Sequence, residues 1–491
     1  MTNVIDWSEG RNLTLLVDFY EITMANGYLK SGVGDKIAYF DMFFRRIPDN
    51  GGYCIVAGLE QLIEYMKNLR FTPSDIDYLR SKHQFDEEFL SYLENFKFCC
   101  DVWAIPEGTP VFPNEPLVTV RGPIIQAQFV ETMVLLSVNH QTLIATKANR
   151  IVRAAAGRPV MEFGSRRAQG YDGAVYGARA AYIGGCSSTA CTISDKLFGI
   201  PAVGTMAHSW IQLYDNEIDS FRAWAKAYPD NCVLLVDTYN VLKSGIPNAI
   251  KVFNEELLPI GKRPAGIRID SGDITYLTIE ARKMLDEAGF PDCKIVISNS
   301  LDEHVIRDVL SQGAQINSFG VGERLITAKS EPVFGGVYKL VAVEDNGKIK
   351  PRIKVSENEE KITNPGFKQI YRIFDNKSNK AIADLVTFAN EEINTEEPLV
   401  IFDPVYTWKK KTVKDFYVRK LMVKVFDNGN CVYSLPSTKE IKDFCSSEMD
   451  TLWSEVLRFD NPHKYYVDLS KELWQTKQDL LNAISESYEE K

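Results

Sequence analysis

Long hydrophobic runs are missing from this sequence. Its longest apolar clusters, such as residues 133–136, fall far short of the roughly 20 residues that a membrane-spanning helix needs. The first dozen residues contain acidic side chains and lack the apolar segment of a secretory signal. We therefore expect neither insertion into a membrane nor secretion by the classical route.

An excess of positive charge is also missing. Lys and Arg number 56 against 66 Asp and Glu, which gives the 491-residue chain a net charge of −10. No cationic field therefore attracts nucleic acid or an anionic membrane, and neither is expected as a partner. The basic run at residues 409–411 is isolated in this acidic chain, and we interpret it as a solvated face. A small anionic ligand would need a local basic pocket.

The nine cysteines form no C-x-x-C motif, and their odd number and scattered positions do not suggest a disulfide framework. We expect reduced thiols in a cytoplasmic protein. Adjacent Cys99 and Cys100 could serve as a metal or redox device, but we favour small core residues at the start of a strand.

The composition is that of a globular protein, with 45% hydrophobic and 25% charged residues. At roughly 150 residues per domain the length allows about three domains. Changes in pattern divide the chain into three regions, at residues 1–122, 123–340 and 341–491.

Strand-like and helical segments alternate in the N-terminal region. Helical spacing begins at Leu13 and a strand-like run covers residues 37–44. A second helix is expected around residues 55–66, and a capped helix start at Thr72. Helical periodicity returns at residues 125–155.

The middle region repeats an apolar run followed by a stretch long enough for a helix. The runs end at Phe163, Thr205, Asp237, Asp270, Ser298 and Gly322. This alternation predicts βα units around a parallel sheet, either open or closed into a barrel. Because ligands of such sheets bind at the carboxyl ends of the strands, functional residues should lie near the run ends.

The C-terminal region indicates antiparallel pairing. Turn signals at residues 346–347, 375–376 and 428–429 each separate two strand-like runs. A capping box begins a helix at Ser437, and a further helix covers the last residues. We expect this region to have a purely structural role.

Two glycines, Gly320 and Gly322, follow one of the predicted strands in the segment FGVGER. Their backbone N–H groups could approach and bind a phosphate, although glycines that merely make a turn are the alternative. A dinucleotide fingerprint is excluded because Leu325 occupies the position of its third glycine, and a Walker A motif is absent.

The segment IRIDSGD places Arg268 two residues before Asp270. An arginine can hold a carboxylate or phosphate bidentately, and the aspartates could bind sugar hydroxyls or hydrated Mg²⁺. A turn or a helix cap is the alternative for the acidic residues.

Two further segments offer reactive or ring-binding side chains. Of the five histidines, His208 is the one that follows a predicted strand end. Its imidazole could act as a nucleophile toward phosphorus, and a structural role is the alternative. Phe163 with Arg166 and Arg167 offers an aromatic face and a guanidinium, which suit a flat anionic ring; a surface salt-bridge network is the alternative.

Several uncommon segments, taken in order, resemble the nicotinate phosphoribosyltransferase family. They are VDFYEITMANGY, FDMFFRRIPDNGGY, EFGSRRAQG, GTMAHSW, VDTYN, IRIDSGD and FGVGERL, and they extend from Leu13 to Val343. The resemblance implies a type II phosphoribosyltransferase fold, in which an irregular α/β barrel joins an α/β sandwich domain, usually as a homodimer with shared active sites. By this resemblance the sandwich domain would cover residues 1–122 and the barrel residues 123–340. The β-rich and helical region 341–491 would pack back on the first domain.

The resemblance also implies a reaction in salvage synthesis of NAD. Nicotinate and 5-phosphoribosyl 1-diphosphate would give nicotinate mononucleotide and diphosphate, coupled to hydrolysis of ATP to ADP and phosphate. Mg²⁺ would enter with the substrate phosphates, and no separate metal site is expected.

Residue roles carried over from the resemblance are expectations of the same kind. His208 would be phosphorylated by ATP. Contacts to nicotinate would come from Phe163, Arg166, Thr205 and Arg268, with Asp18 and Tyr20 from the other subunit. Asp237 and Asp270 would face the ribose or Mg²⁺, and the 5-phosphate would be surrounded by Ser298, Asn299, Gly320, Gly322, Glu323 and Arg324. Arg45 would reach the diphosphate across the dimer.

The ring substituent decides between neighbouring activities. The residues available to contact this substituent are Arg166, Ser187, Ser188 and Arg268. The alternative activities are those of nicotinamide and quinolinate phosphoribosyltransferases. Amide-specific relatives carry an acid in the segment that is Cys186-Ser-Ser188 here, and its absence favours nicotinate. A non-catalytic phosphosugar-binding barrel is the rival from another class, but it would not need His208, Arg268 and Asp270 together.

Overall fold

A computed structural model describes residues 11–358 and 361–489, which fold into two compact units. The first contains the described residues up to Thr142, those from Val333 to Pro436 and those from Phe444 onward. The second contains Leu143–Pro332 and Ser437–Asp443. In these described ranges, every helix is either too short or too polar to cross a membrane. The division of the chain at residues 122 and 340 stays a prediction.

The α-helices of the described chain are mostly short. They cover Phe19–Lys30, Leu59–Asn68, Pro73–Arg80, Glu87–Glu94, Ile124–Phe129, Glu131–Ala154, Gly170–Ile183, Thr192–Phe198, His208–Gln212, Glu217–Ala227, Ile246–Val252, Ile274–Glu287, Glu303–Ser311, Glu323–Ile326, Thr438–Thr451 and Lys471–Glu489. A π-helical turn at Val241–Gly245 precedes the helix at Ile246, and a second follows at Phe253–Leu257.

The first unit is built on a seven-stranded sheet whose hydrogen-bonded neighbours are antiparallel. Its order is Lys348–Pro351, Gly336–Asp345, Ile37–Phe44, Val118–Pro123, Asp101–Ala104, Val423–Asp427 and Asn430–Cys431. Strand Ile37–Phe44 is buried along nearly its whole length, which explains why its sequence is apolar apart from Asp41, whose carboxylate pairs with Lys368 Nζ at 2.8 Å. N-terminal and C-terminal strands thus share one sheet.

Smaller sheets complete the first unit. One has the order Phe416–Lys420, Lys368–Asp375, Ala381–Phe388 and Val467–Leu469, and the others pair Leu399–Phe402 with Lys410–Val413 and Cys54–Ile55 with Pro110–Val111. All three predicted hairpin turns join antiparallel neighbours, as expected. Both predicted capping boxes form, at Thr72 with Asp75 and at Ser437 with Glu440.

The first helix begins later than its apolar spacing predicts. Residues 13–16 form a turn, and the helix starts at Phe19 because the backbone of Asp18 is extended and its N–H donates to Thr132 Oγ1 at 3.1 Å. The expectation for the cysteine pair is half correct. The strand begins at Asp101 and Cys100 is buried, whereas Cys99 is exposed.

The second unit contains the predicted parallel sheet. Its order is Ser188–Thr189, Val160–Glu162, Ser318–Val321, Lys294–Ile297, Gly266–Ile269 and Val233–Leu235, all parallel. Thr189 also forms a parallel bridge with Ala202, which adds the segment before Gly204 at that edge. Five of the six predicted run ends, Phe163, Asp237, Asp270, Ser298 and Gly322, lie one or two residues beyond these strands. The strand expected before Thr205 is reduced to the bridge at Ala202.

The two edges of this sheet approach each other at the carboxyl ends. Thr205 and His208 follow one edge, and Thr238 follows the strand at the opposite edge, yet His208 Nδ1 lies 3.0 Å from Thr238 Oγ1. Arg268, on the strand next to that opposite edge, donates to Thr205 Oγ1 at 3.0 Å. Side chains therefore connect the edges, and the sheet curves in the manner of an irregular α/β barrel.

Candidate active site

Arg268 lies at the centre of the strand ends. Its guanidinium donates to Ser298 Oγ at 2.7 Å, Thr205 Oγ1 at 3.0 Å, the Met206 carbonyl at 3.3 Å and Asp270 Oδ1 at 3.0 Å. Four bonds occupy most of its five donors, so the guanidinium plane is fixed before any ligand binds. One N–H of this rigid fork remains for a ligand oxygen.

Two carboxylates flank Arg268 in different ways. Asp270 accepts from Arg268 and from the Ser298 hydroxyl, and its backbone N–H donates to Asp237 Oδ2 at 3.0 Å. Asp237 is buried, and its Oδ1 has no hydrogen-bond partner among the described residues. Asp273 has the alternative role of a helix cap, because its carboxylate accepts from the Tyr276 N–H at 2.8 Å.

His208 is oriented by a neighbour that we did not identify from the sequence. Its Nδ1 lies 3.0 Å from Thr238 Oγ1, while its Nε2 lies 3.8 Å from Asp270 Oδ2. The side chain is 40% exposed, so the imidazole is held at one nitrogen and still reachable from solvent. Thr238 lies in the VDTYN segment directly after Asp237, and this position at a strand end could have identified it as a site residue.

The Phe163 ring forms an aromatic wall beside Arg268. The Phe163 ring centroid lies 5.9 Å from the Arg268 guanidinium carbon, and the Phe163 N–H donates to the Val321 carbonyl at 2.8 Å. A Cβ at Gly320 would lie 2.5 Å from the Phe163 ring and 3.2 Å from Ser298. Gly320 is therefore required for close packing of the ring, in addition to any contact with phosphate.

Glu162 is a second residue that we did not single out for a role. Its side chain is fully buried, accepts from Thr189 Oγ1 at 2.7 Å and also accepts from the Gly164 N–H. Burial raises its pKa, while the two donors oppose that shift. Glu162 thereby joins the loop after Phe163 to the strand that contains Ser188. An acid inside an apolar strand was the sequence signal for it.

Replacing Glu162 with glutamine should weaken this connection. The amide NH₂ would face either the Gly164 N–H or the Thr189 hydroxyl, so one buried donor loses its acceptor at a cost of about 1–3 kcal/mol. We expect kcat/KM for the ring substrate to fall about tenfold, measured by steady-state kinetics alongside thermal unfolding. The exposed Glu287→Gln is the matched control. Kinetics identical to the control would contradict this positioning role.

The proposed phosphate loop follows two neighbouring strand ends, and the Ser298 N–H already donates to the Ile269 carbonyl at 3.2 Å. Ser298 and Asn299 are half-buried, and Ser300 has a φ of 35°, which turns the chain sharply after the strand. Glu323 points away from the loop, since it is exposed and its carboxylate accepts from Lys329 Nζ at 2.7 Å. Lys329 lowers the pKa of that carboxyl. The negative charge of Glu323 is thus neutralised outside the loop.

Arg324 is held by an acidic residue, Asp302, at the start of the preceding helix, Glu303–Ser311. Asp302 pairs with its guanidinium and also accepts from the His304 and Val305 N–H groups at 3.0 and 2.9 Å. Burial opposes ionisation of Asp302, but these donors prevail and lower its pKa. An incoming phosphate would therefore meet Arg324 already paired.

Some predicted residues are not joined to this network. Arg166 is exposed and has no ion pair among the described residues. Ser187 Oγ donates to the Val160 carbonyl at 3.1 Å and lies 3.4 Å from Ser188 Oγ, so both hydroxyls are satisfied within the sheet.

Asp18, Tyr20 and Arg45 belong to the first unit. Asp18 and Tyr20 are exposed as residues. Partial burial of the Tyr20 phenol raises its pKa, and the nearby charge of Glu131 raises it further. The Nε of Arg45 is buried and has no hydrogen-bond partner among the described residues.

Family models match most of the chain. The nicotinate phosphoribosyltransferase (NAPRTase) N-terminal domain matches residues 15–139, the NAPRTase family model residues 159–381 and the NAPRTase C-terminal domain residues 367–477. The three models follow the chain in order.

Solved structures share this fold. Human nicotinic acid phosphoribosyltransferase superposes with a TM-score of 0.82 at 28% identity, covering 96% of this chain and all of that one. The nicotinate-nucleotide pyrophosphorylase of Pyrococcus furiosus superposes with a TM-score of 0.70 at 22% identity, over 92% of this chain and 99% of that one. With the strand-end network described above, these likenesses define a type II phosphoribosyltransferase fold.

A curated relative gives the family. Nicotinate phosphoribosyltransferase of Bacillus subtilis (strain 168) is 43% identical over 481 residues, which are 98% of this chain and 97% of that protein. The chain belongs to the nicotinate phosphoribosyltransferase family.

Proposed function

We propose that this chain transfers a phosphoribosyl group from 5-phosphoribosyl 1-diphosphate to nicotinate. The observation that carries the proposal is the Arg268 network, in which one preorganised guanidinium connects the aromatic wall at Phe163, the loop at Ser298 and the carboxylate of Asp270. Family membership supports the same reaction. A flat carboxylate-bearing ring can pack against the aromatic face of Phe163 while its carboxylate meets the fixed cation of Arg268.

The reaction needs positioning more than proton transfer. The pyridine nitrogen supplies the electron pair of the new N–C1 bond, while the C1–O bond to diphosphate breaks and its electron pair leaves with the diphosphate. Because the transition state resembles an oxocarbenium ion, charge stabilisation at Asp270 and Asp237 and alignment of the two substrates provide the rate enhancement. No general acid or base is assigned.

The 5-phosphate would bind the backbone between the two strand ends. Asn299 and Gly322 would offer N–H groups there, with Ser298 and Gly320 at the adjoining strand ends. Arg324 would offer a guanidinium once it exchanges Asp302 for the phosphate. Glu323 would remain outside, paired with Lys329.

Mg²⁺ fits this site as a companion of the diphosphate. The ion prefers carboxylate and phosphate oxygens, and Asp237 Oδ1 is a buried oxygen without a partner among the described residues. Asp237, with Asp270 beside it, would hold the ion when it arrives with the substrate. The protein residues described here contain no group of three His, Cys, Asp or Glu side chains arranged for a metal.

ATP would act through His208. The γ-phosphoryl group moves to an imidazole nitrogen as ADP leaves, and water later breaks the P–N bond to release phosphate. Phosphorylation raises the rate only if the phosphorylated state binds the diphosphate donor more tightly than the free state. The half-exposed imidazole beside Asp270 is suitably placed for such coupling.

Replacing His208 with alanine should abolish the response to ATP. We expect the variant to keep some product formation, with a KM for the diphosphate donor that is the same with and without ATP. Steady-state kinetics at several ATP concentrations, together with incorporation of labelled γ-phosphate, measure this result. His304→Ala, at an exposed histidine of the same unit, should behave as wild type. An ATP response that survives in His208→Ala would refute the coupling role.

We also propose that two copies of the chain share their sites. Asp18 and Tyr20 of a second copy would contact the ring, and its Arg45 would meet the diphosphate. Such a contact would use Tyr20, which is 43% exposed, and the Nε of Arg45, which has no hydrogen-bond partner among the described residues. The nine unpaired cysteines support a reducing, cytoplasmic setting.

The decisive assay follows mononucleotide formation from labelled nicotinate and, in parallel, from labelled nicotinamide. Each reaction contains the diphosphate donor and Mg²⁺, with and without ATP. Product from nicotinate, increased by ATP, supports the proposal. Product only from nicotinamide would assign the amide-specific activity, and no product from either would favour a phosphosugar-binding protein.

A further inference from the structure

A lysine from the C-terminal third lies inside the second unit. Lys442 belongs to the segment Ser437–Asp443, and its Nζ donates to the Cys186 carbonyl at 2.6 Å. The same ammonium lies 4.1 Å from the centroid of the Tyr182 ring. It thus contacts the end of one helix and the turn that leads into the next strand, 256 residues earlier in the chain.

The anchored turn leads directly into the segment proposed to discriminate the ring substituent. Cys186 is fully buried, and Ser187 and Ser188 follow it. The N–H of Ser187 donates to the Val160 carbonyl at 2.7 Å, which fixes the segment on one side. The Lys442 ammonium fixes it on the other side through the carbonyl of Cys186.

The charge of Lys442 is not neutralised by a carboxylate. Among the described residues it forms no ion pair, and the nearby Asp443 pairs with Lys439 instead. Burial lowers the pKa of the ammonium. Within the described part of the chain this half-buried cation has a carbonyl and a ring as its partners. It therefore leaves a positive potential around it, because low-dielectric surroundings screen it weakly.

We propose that Lys442 is a positioning and specificity-determining residue for the ring end of the active site. Through the Cys186 carbonyl it holds Ser187 and Ser188 in place, and its uncompensated charge favours an anionic ring substituent. The inference rests on the proposed nicotinate activity, and it gives the C-terminal third a role beyond structure. The phosphate loop is held by other residues and should not respond.

Three substitutions separate the two effects. Lys442→Met removes both the charge and the donor, Lys442→Gln keeps a donor without charge, and Lys442→Arg keeps both. Lys439→Met is the matched control, since Lys439 is exposed on the same helical turn and pairs only with Asp443. Nicotinate binding is measured directly by titration calorimetry, and KM for the diphosphate donor and thermal unfolding are recorded for each variant.

We expect the dissociation constant of nicotinate to rise about tenfold in the Gln variant, the size typical of one lost charge-assisted contact, and to rise further in the Met variant, which also loses the donor. The Arg variant and the Lys439→Met control should stay within about twofold of wild type. KM for the diphosphate donor should be unchanged throughout. Should the Met variant fail to fold, the Gln variant carries the same test.

Nicotinate affinity that is unchanged in the Gln variant would overturn the charge role, and an Arg variant as weak as the Met variant would do so too. A parallel rise in KM for the donor would show a general loss of structure and overturn the inference. A wild-type chain that binds nicotinate but forms no product would refute the proposed function while leaving this binding test intact.

Discussion

Replacing Arg268 with lysine is expected to lower kcat/KM for nicotinate by about 100-fold or more, the size found when a preorganised charge-stabilising donor is lost. Lysine has three donors at a single point and cannot reproduce the planar fork that meets Ser298, Thr205 and Asp270 together. The free energy of unfolding should change less than the activation free energy that kcat/KM reports. Arg268 is half-buried, and after the substitution its partners remain hydrated or paired with each other.

Steady-state kinetics with both substrates and a thermal unfolding curve test this expectation. Arg263→Lys is the control, since Arg263 is exposed and donates to Asp292 through Nε at 2.9 Å. The control should keep wild-type kinetics. An Arg268→Lys variant within threefold of wild type would remove the residue from the centre of the site.

Replacing Arg372 with methionine is expected to destabilise the first unit by about 3–5 kcal/mol, the usual cost of removing one partner of a buried ion pair. Arg372 is fully buried and donates to Asp384 through Nε at 2.9 Å and Nη2 at 2.6 Å, and to the Pro110 carbonyl at 2.8 Å. Without the guanidinium, the carboxylate of Asp384 would remain buried without its cation.

Neighbouring groups cannot replace that cation. Burial and the proximity of Asp384 raise the pKa of Glu115, so this second carboxyl resists becoming another buried charge, and it supplies no cation. The rings of Phe112 and Tyr465 stack at 3.8 Å beside the guanidinium, and the Tyr465 hydroxyl donates to Asp384 at 3.1 Å. One hydroxyl bond compensates only part of a buried negative charge.

Denaturant unfolding followed by tryptophan fluorescence measures the effect on the first unit. Adding Asp384→Leu to Arg372→Met should recover part of the lost stability, because the double variant no longer buries an unpaired charge. A single variant as stable as wild type would contradict the account of this cluster.

The sequence predicted where the site lies because βα patterns are local. Each apolar run and the polar residues after it can be identified within about ten residues, and parallel strands bring their carboxyl ends to one edge. Thr205, Arg268, Asp270 and Ser298 therefore converge as expected.

Contacts between distant segments could not be predicted in the same way. No local pattern shows that the edges of the sheet curve together, so the pairing of His208 with Thr238 emerges only from the fold. The contact between Lys442 and Cys186 joins segments 256 residues apart. The start of the first helix moved to Phe19 because the N–H of Asp18 binds Thr132, another contact over a long sequence distance.

Glu162 illustrates a different limit. From the sequence alone, a carboxylate inside a buried strand looks unfavourable. In the folded protein it is stabilised by two donors, the Thr189 hydroxyl and the Gly164 N–H. Its function follows from hydrogen bonds formed after folding rather than from its residue type.

A crystal structure of this chain with bound nicotinate mononucleotide tests the central claim most directly. The account predicts the pyridine ring against Phe163, its carboxylate within hydrogen-bond distance of Arg268 and its phosphate on the backbone of residues 298–299 and 320–322. A mononucleotide bound elsewhere, or one whose phosphate occupies the Arg268 position, would contradict it.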